Sequence, residues 1–362
     1  MLANEILSEF RDLCDRREWN DELNQVSKKV SSVLKECSSQ ENFELMIAEL
    51  DPKLNLLHST HSDNVSCSFI KSGGGAGGIH PLRKIEHTED DKKTSLIEKL
   101  FVKASGALER QKMALDFIDN KSNLAPAIRD IRSGEYLDAV YFDYIDGISG
   151  RKNIKSNLDT VISSILCLNL ENTPITTDKL PYQGLEFHAD FQNRVEPVFA
   201  CAGDEVKGIV IEKDFFERGM QICNSSPLVF SHGNPNSGNL IISENKVRFI
   251  DWDSWGLYPI GFDIAWFIFA NDISKSASLL DYSERSLRNE LDRRKRSSKD
   301  IDAIEFNVKF LSFIIDISEI IKAPSLSDVF GQKELRLRQE ALTNAIYEQT
   351  RYKTPPLTET GT

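Results

Sequence analysis

The sequence predicts an α+β chain of two lobes, a small β-rich one followed by a larger helical one, with a helical extension in front. Three observations predict it. Residues 1–58 space their apolar side chains three and four apart in ILSEFRDLC, VSKKVSSVLKEC and FELMIAEL, as amphipathic helices do. Residues 65–70, 96–104 (LIEKLFVKA) and 139–145 (AVYFDYI) alternate or are β-rich, as strands are. From about Lys152 the helical period returns and dominates to residue 350.

Taken in order, residues 1–64 form the helical extension and 65–147 the small lobe. Within that lobe 73–78 is a glycine loop and 87–94 (HTEDDKKT) a polar hairpin tip or loop. Residues 106–118 read as a helix, because Leu108, Met113, Leu115 and Ile118 can share one face. The turn signal Asp146-Gly147 closes the lobe. The helical lobe spans 148–350, with helical stretches at 158–170, 206–223, 261–270, 303–322 and 333–349. Two short strands, 239–243 and 247–250, are joined by a turn at Glu244-Asn245. The Pro/Thr-rich tail 351–362 has nothing to bury and is expected to be disordered. No internal repeat is visible.

A net charge of −12 repels polyanions, so neither nucleic acid nor an anionic membrane is an expected partner. The apolar run at 310–321 is interrupted by Ser and Asp and is too short to span a bilayer. Residues 1–20 lack the apolar core of a secretory signal. The six cysteines are scattered, without a CxxC pair, which points to reduced thiols in a cytoplasmic protein and away from structural zinc.

The chemistry concentrates in 231–253, SHGNPNSGNLIISENKVRFIDWD. A hairpin after Asn239 brings Asp251 back toward it. One carboxylate and one amide oxygen suit Mg²⁺, which takes few protein ligands and completes its shell with phosphate and water. Asn239 and Asp251 are therefore the candidate metal ligands, for Mg–ATP. In the small lobe, Gly74, Gly75, Ala76 and Gly77 can turn backbone N–H groups toward the phosphates. The same glycines satisfy G-x-G-x-x-G, but IHPLRKIEH follows where a dinucleotide-binding fingerprint needs a helix.

These residues resemble the aminoglycoside phosphotransferase and choline kinase family, whose catalytic loop reads HGD-x-x-x-x-N and is followed by a strand pair and an IDW-acidic motif. HGNPNSGN and IDWD match in order and spacing, and PIGFDIA resembles the family's P-x-x-D-[LI]-A segment. The resemblance implies a two-lobed protein-kinase-like fold and transfer of the ATP γ-phosphate to a hydroxyl of a small molecule. It implies Lys103 as the phosphate-binding lysine, with Glu109 as its partner on the next helix. It also implies a hinge at 139–147 that binds the adenine edge through the main chain of Asp143, Tyr144 and Ile145. His232 is expected to organise the loop, Asp253 to hold the metal segment and Asp263 to cap a helix. The acceptor is expected to be a cationic or sugar-like alcohol, and the oligomeric state is open.

One position departs from the family. Asn234 stands where the catalytic aspartate takes the proton of the acceptor hydroxyl. Asparagine keeps the shape and one acceptor oxygen but takes no proton near neutrality. An introduced Asp→Asn change, a nucleotide-binding pseudokinase, and another group serving as base each account for it.

Overall fold

The computed structural model describes residues 2–16, 18–37, 39–57, 65–70, 78–89, 92–118, 123–150, 154–171, 183–206, 209–210, 212–243, 246–273, 276–322 and 332–351. The chain divides into two compact units, Met1–Asp146 with Ile250–Asp253, and Gly147–Phe249 with Ser254–Thr362.

The first unit opens with α1 (Leu2–Asp15), α2 (Asp21–Lys35) and α3 (Gln40–Leu50). Asn20 and Ser39 cap the last two by accepting from the N–H groups of Leu23 and Asn42. Next come β1 (Val65–Ile70), β2 (Gly78–Glu89), β3 (Lys92–Val102), α4 (Ala107–Phe117), β4 (Ile128–Ser133) and β5 (Leu137–Asp143). The strands form one antiparallel sheet in the order β1-β2-β3-β5-β4. The polar run expected as a hairpin tip is mostly strand, since β2 continues to Glu89 and β3 begins at Lys92.

Strand alternation assigns the two faces of this sheet. Leu100, Val102, Leu137, Ala139 and Tyr141 face one core together with Phe10, Val30, Phe43 and Ile47 of the three helices. Phe101, Val140 and Phe142 face the other, against Ala107 and Leu108 of α4. The opening helices are thus one layer of the sheet domain. Polar groups tie this layer down. Asp51 accepts from the N–H groups of Glu135, Tyr136 and Leu137 at 2.7–2.9 Å, and the Tyr141 hydroxyl accepts from Leu57 N–H at 2.8 Å. Beneath them Arg83 forks onto Glu98 at 2.5 and 2.6 Å, also reaches Glu44 at 3.1 Å, and lies over the Phe43 ring.

The second unit contains β6 (Ile148–Ser149), α5 (Leu158–Glu171), α6 (Ala189–Ala200), β7 (Glu205–Val206), β8 (Ile209–Val210) and α7 (Lys213–Asn224). It continues with β9 (Leu228–Ser231), β10 (Leu240–Ser243), β11 (Lys246–Phe249) and β12 (Gly256–Pro259). The helices α8 (Phe262–Ala270), α9 (Ala277–Arg293), α10 (Ser298–Lys322) and α11 (Gln332–Arg351) complete it. Its core gathers Phe191, Val195, Phe216, Phe262, Trp266, Phe310 and Ile314. The helix expected over 206–223 begins only at Lys213, because a short β7–β8 hairpin takes the earlier residues. Elements not read from the sequence include α6, α9, β2, β4, β9 and β12. α9 buries Leu280, Leu287 and Leu291, and charged residues lie between them.

Among the described residues no helix is long and apolar enough to cross a membrane, and no group of three His, Cys, Asp or Glu side chains could hold a metal. All six cysteines are free thiols.

Candidate active site

In the second unit the segment 232–239 leaves β9 as a tight loop, and buried groups hold its backbone from below. Gly233 has φ +79°, and a Cβ there would lie 1.9 Å from the Ser254 carbonyl oxygen; only glycine fits both conditions. The fully buried Asp263 accepts from His232 N–H at 2.8 Å, Gly233 N–H at 2.9 Å and the Asn169 amide at 3.0 Å. This corrects the expected cap: Gly261 is the N-cap of α8, and Asp263 anchors the loop from the helix's first turn. Burial pushes its carboxyl up to about 6, against the pull of those three donors.

His188 completes the clamp. Its Nδ1 accepts from Phe191 N–H at 3.0 Å, so its Nε2–H donates to the Gly233 carbonyl at 2.7 Å. Burial lowers the pKa of this ring, and the two bonds require the neutral Nε2–H form.

The side chains on the loop are fixed equally closely. Asn234 Oδ1 accepts from Asn236 Nδ2 at 2.9 Å and from the Trp266 indole N–H at 3.1 Å. Its main chain donates to His232 Nδ1 at 3.2 Å. His232 is fully buried beside Phe249. Asn239 donates Nδ2–H to the Asn234 carbonyl at 3.0 Å, which turns its Oδ1 away from that bond and leaves it available as a ligand. Asn271 Oδ1 accepts from Ser237 N–H.

In the first unit the lysine that meets the IDWD segment is Lys99, not Lys103. Lys99 Nζ lies 2.7 Å from Asp251 Oδ1, with its side chain 10% exposed. Its stem passes Gly78, where a Cβ would approach Lys99 Cε to 3.1 Å, and its ammonium lies 4.8 Å from the Phe101 ring centroid. Burial pulls the Lys99 pKa down, but Asp251 and Asp253 outweigh it and keep the ammonium charged. Lys103 fails for a geometric reason. β3 ends at Val102, and Lys103 starts a 3₁₀ turn that sends its Nζ to the Gly134 carbonyl at 2.6 Å. Glu109 is exposed on α4 and cannot be the partner of a lysine directed there.

The hinge expectation is narrowed. Asp143 N–H already bonds the Ala127 carbonyl, and its carboxylate holds Arg129 at 2.5 and 2.7 Å. Tyr144 N–H bonds the Ser95 carbonyl. Ile145 is buried, and its main chain has no hydrogen bond to another described residue. Gly74, Gly75, Ala76 and Gly77 lie outside the described residues.

Asp251 adopts φ +67°, unusual for a side-chain-bearing residue. Asp253 does not hold its segment as expected, since both its carboxylate oxygens are buried without a hydrogen-bond partner among the described residues. Burial first, and then the charge of Asp251, push it up to about 6, in spite of Lys99 and Arg110. Buried carboxylate oxygens with nothing to bond fit a hard divalent cation, which prefers oxygen ligands.

The sign of this shift gives a prediction. The Asp253 pKa is 3.8 when unperturbed and about 6 when folded, so between those values the folded chain holds the extra proton. Its stability contribution is present below pH 4 and lost as pH rises through 6. His80, lowered to about 4 by burial and Lys99, works in the opposite direction. The comparison with Asp253→Asn isolates the aspartate. In metal-free buffer the variant's melting temperature should exceed the parent's by a margin that grows from pH 4 to 6 and then levels off. A margin independent of pH would contradict it.

A profile of the phosphotransferase enzyme family matches residues 83–296. The chain belongs to this family. The phosphotransferase match takes in both Lys99 and the whole loop-and-hairpin segment. No curated protein matches the sequence. Similar solved structures include a Plasmodium vivax ethanolamine kinase, 14% identical over 91% of this chain and 96% of that one, TM-score 0.49. A choline kinase from Cryptosporidium parvum is 15% identical over 85% and 96%, TM-score 0.48. An aminoglycoside phosphotransferase from Streptomyces rimosus is 15% identical over 63% and 92%, TM-score 0.40.

Sequence reading missed Lys99, His188, Asn169 and Trp266. The strand alternation KLFVK offered a signal for the first, because Lys99 and Phe101 must share a face if the strand stops before Lys103. No local pattern marks His188, whose partners come from residues 191 and 233.

Proposed function

We propose that this phosphotransferase transfers the γ-phosphate of ATP to a hydroxyl of a small molecule, with the proton-accepting aspartate replaced by Asn234. The observation that carries the reading is the Lys99–Asp251 ion pair, which supplies a buried cation for phosphate beside a carboxylate for metal. On this reading Asp251 and Asp253 would hold Mg²⁺, and the ion would supply positive charge against the phosphoryl oxygens. Lys99 binds the phosphates, and the loop held by Asp263 and His188 positions the acceptor.

On the same reading the loop gives a physical reason to expect slow turnover. The only acceptor atom in the Asn234 side chain is already engaged by Asn236 and Trp266. What remains is Nδ2, a donor, which orients a hydroxyl oxygen but cannot take its proton.

A matched pair of variants tests the nucleotide half. Lys99→Met should weaken Mg–ATP binding by about tenfold or more in calorimetry, equivalent to about 1.4 kcal/mol. Lys103→Met should bind as the parent does. Equal losses in both, or loss only in Lys103→Met, would overturn the assignment.

Asn234 itself favours a second reading, a module that binds Mg–nucleotide without turning it over. That reading predicts nucleotide binding with no phosphate transfer even after Asn234→Asp.

A further inference from the structure

The residue that supports Asn234 carries a cation on its face. Trp266 donates its indole N–H to Asn234 and is 3% exposed. Over its ring, at 5.7 Å from the centroid, lies the guanidinium carbon of Arg194 from α6. The same carbon is 4.5 Å from the centroid of Phe269. Trp266 and Phe269 present an edge-to-face pair, 5.9 Å apart. Such a pair is the surface on which an organic ammonium would settle, and here an arginine has taken it.

Among the described residues, only part of the Arg194 fork is engaged. Nη1 pairs with Glu319 of α10, while Nε and Nη2 have no partner among the described residues. The side chain is 27% exposed and Glu319 is 42% exposed, so water reaches the pair and an incoming anion can compete for the fork. A guanidinium fork recognises a planar oxyanion with two parallel bonds, and its charge repels an ammonium.

We propose that Arg194 is the specificity-determining residue for the acceptor, selecting hydroxy compounds that carry an oxyanion and excluding ammonium-bearing alcohols. This rests on the phosphotransferase reading and narrows its acceptor class. Arg194 acts through its position beside the Asn234–Trp266 pair and takes no proton.

The test is direct binding to the full chain in the presence of Mg–AMP-PNP, read by calorimetry with glycerate and gluconate as oxyanion probes, glycerol as the neutral one, and choline and ethanolamine as cationic ones. The oxyanion probes should bind at least about tenfold more tightly than choline, a difference of about 1.4 kcal/mol. Arg194→Gln should erase that preference and strengthen choline binding, and Arg194→Lys should keep part of it. Glu319→Gln, which frees the fork, should strengthen oxyanion binding. If Arg194 merely straps α6 to α10, Glu319→Gln lowers the melting temperature and leaves binding unchanged. Tighter binding of choline with Arg194 in place overturns the proposal. So does any ranking that Arg194→Gln leaves unaltered, including one in which no probe binds. Failure of AMP-PNP itself to bind is a separate readout and removes the phosphotransferase reading beneath it.

Discussion

Asn234→Asp should raise phosphate transfer to a hydroxyl acceptor by about 10²–10⁴, the usual worth of a positioned general base. The loop is already built for the carboxylate. Oδ1 of the introduced aspartate would keep the two donors that now hold Asn234, the Asn236 amide at 2.9 Å and the Trp266 indole at 3.1 Å. Oδ2 would then replace Nδ2, turning a donor into an acceptor facing the hydroxyl. The backbone needs no change, because Gly233 and Asp263 fix the turn independently of the side chain at 234. The gain should appear in kcat with little change in Mg–ATP affinity, since Lys99 and Asp251 are untouched. Single-turnover transfer from labelled ATP to a panel of alcohols, sugars and hydroxy acids measures it. An aspartate form no faster than the parent on every acceptor would favour the nucleotide-binding module.

Glu98→Ala should destabilise the first unit by about 3–5 kcal/mol, the cost of breaking a buried ion pair from one side. Arg83 is wholly buried and Glu98 is 1% exposed. Removing the carboxylate strands a guanidinium that water cannot reach, with Glu44, on α3, as its one remaining anionic partner among the described residues. It also leaves the buried Tyr141 hydroxyl without its acceptor at 2.7 Å. Denaturant titration should show a lower midpoint. The double change Arg83→Met with Glu98→Leu should recover most of the loss, because replacing both partners by apolar groups removes the stranded charge. A midpoint shift below about 1 kcal/mol for Glu98→Ala would mean that the pair is solvated.

The parts of the molecule legible in the sequence were those set by local pattern. The short strand after Asn239, its return as β11, and the helix opening at Phe262 all follow from alternation, turn residues and the P-x-x-D segment. The loop 232–239 was legible as a site because its polar residues have no packing reason to be there. Lys103 shows where this reasoning stops. LFVKA reads as strand through its lysine, and only the pairing of Val102 with Leu137, the last in the β3 ladder, shows that the strand ends one residue earlier. Asp263 shows the same limit. A carboxylate in the first turn of a helix looks like a cap, and only the fold shows that the N–H groups it satisfies belong to residues 232 and 233. Arg83 and Glu98 are charged residues in strands, and nothing in the local sequence marks them as buried. Their burial depends on α1–α3 crossing the same face, a long-range fact.

That helical layer bears on how the protein can be handled. A chain begun at Val65, where the strands start, would bare Leu100, Ala139 and Tyr141 to water, together with a guanidinium pair meant for the interior. It would also take away Asp51, which satisfies the N–H groups between β4 and β5. A shortened version would thus present an adhesive apolar sheet face and, as a reagent, would report on aggregation rather than on nucleotide binding.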